Sequence, residues 1–507
     1  MRTCKTITLI LFVSITIAFG QKDPAKWDVN NPGGPSKDVA FTTNEGTWMN
    51  LDVSPDGKEI VFDLLGDIYI MPVTGGEARV LRSGHAFEVQ PRFSPDGKRI
   101  SFTSDAGGGD NIWVMDRDGS HAKQITKENF RLLNNSVWTP DGEYLIARKH
   151  FTGMRSLGAG ELWMFHISGG GGLQLTPKKN DQQDLNEPSV SPDGRYVYYS
   201  EEVFPGGYFQ YNKDPNGNIF VIKRFDREKG SSEVVTGGAG SAIRPQISRD
   251  GKTLAFVKRV RTKSVLYLRN LDSGEEWPIF DNLSKDQMEA WTIFGVYTGF
   301  AWSPDNKSIY IWANGKINKI EVDGVNKSAD VPFTCNVKQK IYDAVRFKQN
   351  LNTPKFNVNV IRQGTTSPDG KWFVFHGAGY LWKKEMPNGT PQRLTSGTDF
   401  EFYPSFSPDG KSLVYTTWND QLMGSIIKMD WSGVVKPVKL TTEKGIYTNP
   451  SFSPDGKSIV YYKDGGDYVM GSSFNVNPGV YTMDAAGGKA KLVSEKGSEP
   501  YFNAKGD

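Results

Sequence analysis

Apolar and polar residues alternate in short runs along this chain, and one run-and-turn pattern keeps returning. In "FSPDGKRISFTSD" an apolar residue precedes a Ser-Pro-Asp-Gly turn, polar residues follow, and apolar positions then recur at every second place. Period-two alternation bounded by Gly and Asp predicts short antiparallel strands. Proline presets one backbone angle and glycine tolerates a positive one, so the tetrapeptide places a tight turn between the first two strands of a unit. The stretches "NIWVMDRDG" and "KQIT" supply a third and a fourth strand.

The turn, or a near copy, begins at Ser54, Ser94, Thr139, Ser191, Ser248, Ser303, Ser367, Ser407 and Ser453, at intervals of 40, 45, 52, 57, 55, 64, 40 and 46 residues. Reuse of one four-stranded unit at this spacing predicts propeller blades rather than another all-β sandwich. The short intervals restart at Ser367, and so does the content: the sequence from Ser54 aligns without gaps on that from Ser367, sharing Phe62/Phe375, Gly66/Gly379, Leu81/Leu394 and Glu88/Glu401. The expected fold class is all-β, with tandem β-propellers of four-stranded antiparallel blades, the first six-bladed and the second incomplete. The expected organisation is a signal peptide at 1–20, a polar linker at 21–40, a first propeller at 41–329, a connecting segment at 330–355, and the start of a second propeller at 356–507, with three blades and one strand. Such an arc leaves sheet edges uncovered, so the chain is expected to be a fragment of a longer product. A piece spanning 41–330 is expected to melt cooperatively. Helix is scarce, and "SKDQMEAW" from Ser284, with a capping-box pattern, is the best short candidate. The longest loops, from His150, Glu202 and Trp291, are rich in aromatic residues and belong to the first propeller, where loops on a rigid frame commonly carry binding.

The opening "MRTCKTITLILFVSITIAFGQKD" adds a compartment. Arg2 and Lys5 precede an apolar run that ends in small residues, which reads as a cleaved secretory signal and implies a periplasmic or secreted protein. The run is shorter than the ~20 residues of a membrane span, so no span is expected after cleavage. Cleavage lowers the formal net charge from +3 to about +1, with both signs interspersed, which excludes nucleic acid as an expected partner. Cys4 leaves with the signal, and Cys335 has no partner within the chain.

Reactive groups are sparse. There is no Gly-x-Ser-x-Gly, His-Glu-x-x-His or His-x-His, and the five isolated histidines read as surface or loop residues. The aspartate of each turn recurs nine times, which fits a residue bonding the backbone of its own turn rather than a catalytic one. No catalytic residue, metal ligand or cofactor site is assigned to the chain. One repeat position differs. Four residues before the Ser or Thr of the turn stand Asn50, Gln90, Asn135, Glu187, Arg244 and Gly299. If the strand entering the turn is the innermost one, the five polar residues ring one mouth of the channel and are candidate binding residues. The competing reading is that they merely enter a strand from solvent.

The strand pair "P-x-FSPDGK-x-I-x-F", with "NIWVMDRDGS" and "QIT", resembles TolB-type, WD-like propeller repeats from about Thr43 onward. The stretch "EGTWMNLDVSPDGKEIVFDLLGDIYIMPVTGGEARVL" resembles the start of secreted bacterial proteins of the amidohydrolase superfamily, in which tandem propellers precede a metal-dependent barrel. This resemblance implies a non-catalytic scaffold that positions or filters a peptide or small-molecule substrate for a missing C-terminal catalytic domain. A zinc-like divalent metal is expected only in that domain. Two alternatives stay open: a TolB-like periplasmic protein-binding platform without activity, and the propeller part of a tricorn-like or prolyl-oligopeptidase-like serine peptidase.

Overall fold

A computed structural model describes residues 28–152, 158–204, 213–290, 292–344, 346–347, 349–465 and 477–506. The expected signal peptide, the tips of the loops from His150 and Glu202, and Trp291 lie outside these residues. The described residues form nine sheets and no helix.

In the first sheet, Leu51–Val53, Glu59–Leu64, Asp67–Pro72 and Gly76–Arg82 pair antiparallel in chain order. The next five sheets repeat this order, opening with Glu88–Phe93, Leu132–Trp138, Leu185–Val190, Ile243–Ile247 and Ala301–Trp302. Three more open with Arg362–Thr366, Phe400–Phe406 and Ile446–Phe452. The turn between the first two strands is the same device each time. The Ser94 hydroxyl donates to Asp96 at 2.6 Å, while Asp96 accepts the Lys98 N–H and Ser94 Oγ accepts the Arg99 N–H. These bonds hold the turn carboxylates below their ordinary range, with Asp56 at about 2 because Ser54, the Lys58 N–H and Arg117 all favour its charged form. The repeated aspartates therefore serve their own turns.

Apolar faces of successive sheets meet to make the core. Val61, Ile68 and Ile70 of the first sheet pack on Phe93, Ile100, Phe102 and Met115 of the second. The sixth sheet closes back on the first, where Ala301, Tyr310, Trp312 and Ile317 join Met49, Leu51 and Phe62, and the Leu51 N–H donates to the Gly299 carbonyl at 3.0 Å.

Two segments read as linkers are strands. Ser36–Thr43 pairs antiparallel with Phe333–Tyr342, and the latter runs parallel to Gly76–Arg82 at the outer edge of the first sheet. "FTCNV" does alternate: Phe333, Cys335 and Val337 are buried, whereas Thr334 and Asn336 face solvent. Lacking a Ser-Pro-Asp-Gly turn, these strands escape a search for blades. The expected helix at Ser284 is also absent. Asp286 is drawn into a buried ion pair with Arg259 and accepts the Ser264 hydroxyl, and Met288 enters the core, so tertiary bonds hold the segment in a non-helical path.

Candidate functional site

The polar repeat position falls on a kink. At Gln90, Asn135, Glu187 and Arg244 the backbone takes φ between 53° and 62°, and the pairing register to the second strand slips at each. A bulge of this kind turns a side chain out of the pleat, here towards the axis of the ring and the neighbouring sheet. The N–H of the bulge residue also turns away from its own ladder and needs a partner.

Its partner comes from the preceding sheet. The Gln90 N–H donates to Asp63 Oδ2 at 2.7 Å, the Asn135 N–H to Gln90 Oε1 at 2.8 Å, and the Arg244 N–H to Glu187 Oε2 at 2.7 Å. In the fourth sheet the neighbour substitutes: Asn186 Oδ1 accepts both the Glu187 N–H and the Asn135 amide. Asn50 completes the circuit, accepting the Gly299 N–H at 2.7 Å and donating to Asp63 at 2.8 Å. Gly299 is required by space, since a Cβ there would lie 2.5 Å from Arg244 Nη2 and 2.8 Å from Arg92 Nη2.

The second strand steadies the ring. Nine residues after the Ser or Thr of the turn stand Asp63, Thr103, Arg148 and Ser200. Asp63 bonds Asn50, Thr103 bonds Gln90, Ser200 bonds Glu187, and Arg148 pairs with Asp184. A polar residue at this fixed place after the turn, in "IVFDLL", "ISFTS", "LIARKHF" and "VYYSEE", is the sequence signal that marks them.

All five candidate residues are therefore brought together, each at most 4% exposed, and their polar atoms are engaged within the protein. They do not face open solvent at a mouth, because the loop 292–297 covers them. Its Val296 and Tyr297 N–H groups donate to Glu187 Oε1, and its Phe294 carbonyl accepts from Gln90 Nε2. Gly295, at φ 109°, suits that approach, since a Cβ there would lie 3.0 Å from Glu187 Oε1. At Asn50 the ring meets a cleft. This cleft, about 470 Å³, lies between the loop and the first two sheets, with Trp48, Phe87 and Phe294 as walls and Asn50 and Asp63 at its floor.

Burial raises the Asp63 carboxyl to about 6 against the pull of its donors. Asp67, buried beside Glu88, is pushed to about 7. Both folded values exceed the unfolded one, so the native state binds the extra protons and stability falls as pH rises from about 4 to about 7. Asp67→Asn is expected to flatten this fall in urea unfolding midpoints across that window, because the Gln339 amide can turn to accept from the new amide. An unchanged slope would remove Asp67 from the account.

Two histidines differ from the surface reading. His150 lies inside the strand Tyr144–Thr152, 2% exposed, and burial beside Arg148 pulls it down to about 3. His376 lies in Trp372–Gly377 against the Phe402 ring. Neither belongs to a ligand set, for among the described residues no three of His, Cys, Asp and Glu are grouped to hold a metal ion. The buried carboxylates Asp63, Glu187 and Asp286 already accept N–H groups or pair with arginine. The donor set does not fit a divalent ion.

The ring of four-stranded sheets and its repeated turn define a β-propeller protein. Residues 36–210 match the TolB beta propeller domain family. An uncharacterized protein of Agrobacterium fabrum is 30% identical over 161 residues, covering 29% of this chain and 53% of that protein. The Tol-Pal system protein TolB of Helicobacter hepaticus is 27% identical over 160 residues, covering 31% of this chain and 37% of that protein. The chain thus spans about half, or less, of the length of these curated relatives. Among solved structures, the tricorn protease is 15% identical with a TM-score of 0.41, covering 92% of this chain and 46% of that one.

Proposed function

We propose that the chain is the non-catalytic propeller scaffold of a secreted or periplasmic hydrolase of the amidohydrolase superfamily, positioning a peptide or small-molecule substrate for a metal-dependent domain. The observation that carries the reading is the locked ring. Its buried polar groups are spent on joining sheets, while an aromatic cleft beside Asn50 stays open for a ligand, as suits a rigid frame with binding at its rim. The start of the first propeller, from Glu45 to Leu81, supports the choice of superfamily by its resemblance. Any metal would be held by residues outside those described here.

Reading the source gene past the codon for Asp507 tests this. The expected result is an open frame running into a barrel with a His-x-His ligand pair. A serine nucleophile motif there would transfer the scaffold to a peptidase, and an immediate stop codon would overturn the hydrolase reading. The match to the Tol-Pal system protein TolB favours a second reading in that last case, a periplasmic platform for a protein partner.

A further inference from the structure

At the opposite end of the first ring, the inner strands run into their turns around an axial cavity of about 270 Å³. That is just under the ~300 Å³ at which small-molecule pockets begin. Its lining holds two cations, Arg92 and Arg249, and one acid, Asp52. Asp52 is already committed: Oδ1 accepts the Val53 N–H at 3.0 Å and lies 3.7 Å from Arg92, and Oδ2 accepts the Phe93 N–H at 2.9 Å. Arg92 is nearly buried and gives Nη1 to the Leu51 and Phe300 carbonyls, so its charge meets backbone dipoles and the Asp52 carboxylate at 3.7 Å.

Arg249 breaks the repeat. The eight other copies of the turn carry proline at this place. The arginine leans from the fifth sheet across the mouth to the first, where Nη2 reaches the Val53 carbonyl at 3.4 Å, a long bond that leaves most of its donors available. Trp138 and Trp302 line the same cavity, their indole N–H groups donating to the Arg92 and Gln246 carbonyls. The Gln246 side chain adds a further polar group to the lining.

We propose that this axial mouth binds a compact oxyanion group, a carboxylate or a phosphate, on a small molecule, with Arg249 as the clamp and Arg92 as the charge beneath it. Two arginines in the lining of one cavity, Arg249 with most of its donors available, suit planar recognition of an oxyanion at its mouth. The site lies on the face away from the cleft at Asn50 and does not depend on which catalytic domain the scaffold serves.

Calorimetric titration of the full chain with succinate and with inorganic phosphate at low salt tests the proposal. At least one probe is expected to give saturable heat, and the probe that does identifies the carboxylate or the phosphate as the source. Arg249→Gln keeps the backbone N–H that Arg249 donates to Asn306 and is expected to weaken binding about tenfold or more, the loss of one charge-assisted clamp. Arg249→Pro, which restores the residue of the other repeats, is expected to weaken it likewise, and Arg249→Lys is expected to retain part of it. Melting curves of each variant report the fold. Absence of saturable heat with both probes, or unchanged binding by a folded Arg249→Gln chain, would overturn the site.

Discussion

Glu187→Ala is expected to destabilise the first ring by about 3–5 kcal/mol, the cost of breaking a buried charged network by removing one partner. Four donors converge on this carboxylate: the N–H groups of Arg244, Val296 and Tyr297, and the Ser200 hydroxyl, at 2.6 to 3.2 Å. Alanine leaves all four without it in a site closed to water. It also removes the main charge that opposes desolvation of Arg244, a guanidinium pulled down to about 10 by burial. Glu187→Gln keeps one acceptor but turns an amide towards N–H groups, so it is expected to fall between the wild type and alanine. Pairing Glu187→Ala with Arg244→Met should cost less than the two changes summed, by about 1–3 kcal/mol, because each single variant strands what the other removes. Urea unfolding followed by tryptophan fluorescence measures these differences. A loss below about 1 kcal/mol for Glu187→Ala would mean that the ring merely lines the axis.

The second large effect belongs to the outer edge. A chain covering 36–342 is expected to unfold cooperatively, whereas one covering 36–331 is expected to lose roughly 4.5–9 kcal/mol, from re-exposure of three buried side chains at ~1.5–3 kcal/mol each. Those side chains are Phe333, Cys335 and Val337, and they complete the core shared by the sixth and first sheets. Among the described residues, their strand is also the sheet partner of Ser36–Thr43, whose eight registered pairs are all made with it. The shorter chain should therefore bind an apolar dye through the uncovered face of Phe62 and Tyr69, and the longer one should not. Equal midpoints for the two would show that the outer pair is dispensable. The boundaries 41–330 read from the repeats cut through this pair, so that piece is expected to behave like the short chain.

The blades were legible because their signal is repeated nine times: a turn whose chemistry is local, followed by alternation whose buried face is set by the pleat. What the repeats could not reveal was contact between distant segments. Ser36–Thr43 and Phe333–Tyr342 each look like polar connectors until they meet, since alternation in a single edge strand is a weak sign on its own. The polar position four residues before the turn was visible in the sequence as well, and the structure does gather Asn50, Gln90, Asn135, Glu187 and Arg244 around one axis. Their exposure was not visible. It depends on the loop 292–297 folding back over them, a contact between residues more than a hundred positions from Glu187. The helix expected at Ser284 fails for the same reason. Its capping pattern is local, but Asp286 is claimed by Arg259 on another strand.

The second run of sheets reuses the clasp, for the Tyr403 N–H donates to Gln363 Oε1 at 2.9 Å, and Gln363, Tyr403 and Asn449 all carry the positive φ of the bulge. One device therefore joins sheets in both parts of the chain.

Hydrogen exchange of the inner-strand amides tests the central claim, that buried polar residues lock the ring into a rigid scaffold. The N–H groups of Gln90, Asn135, Glu187 and Arg244 are expected to exchange only through global unfolding and to be among the slowest in the chain. Exchange of these four on the timescale of exposed loops would contradict it.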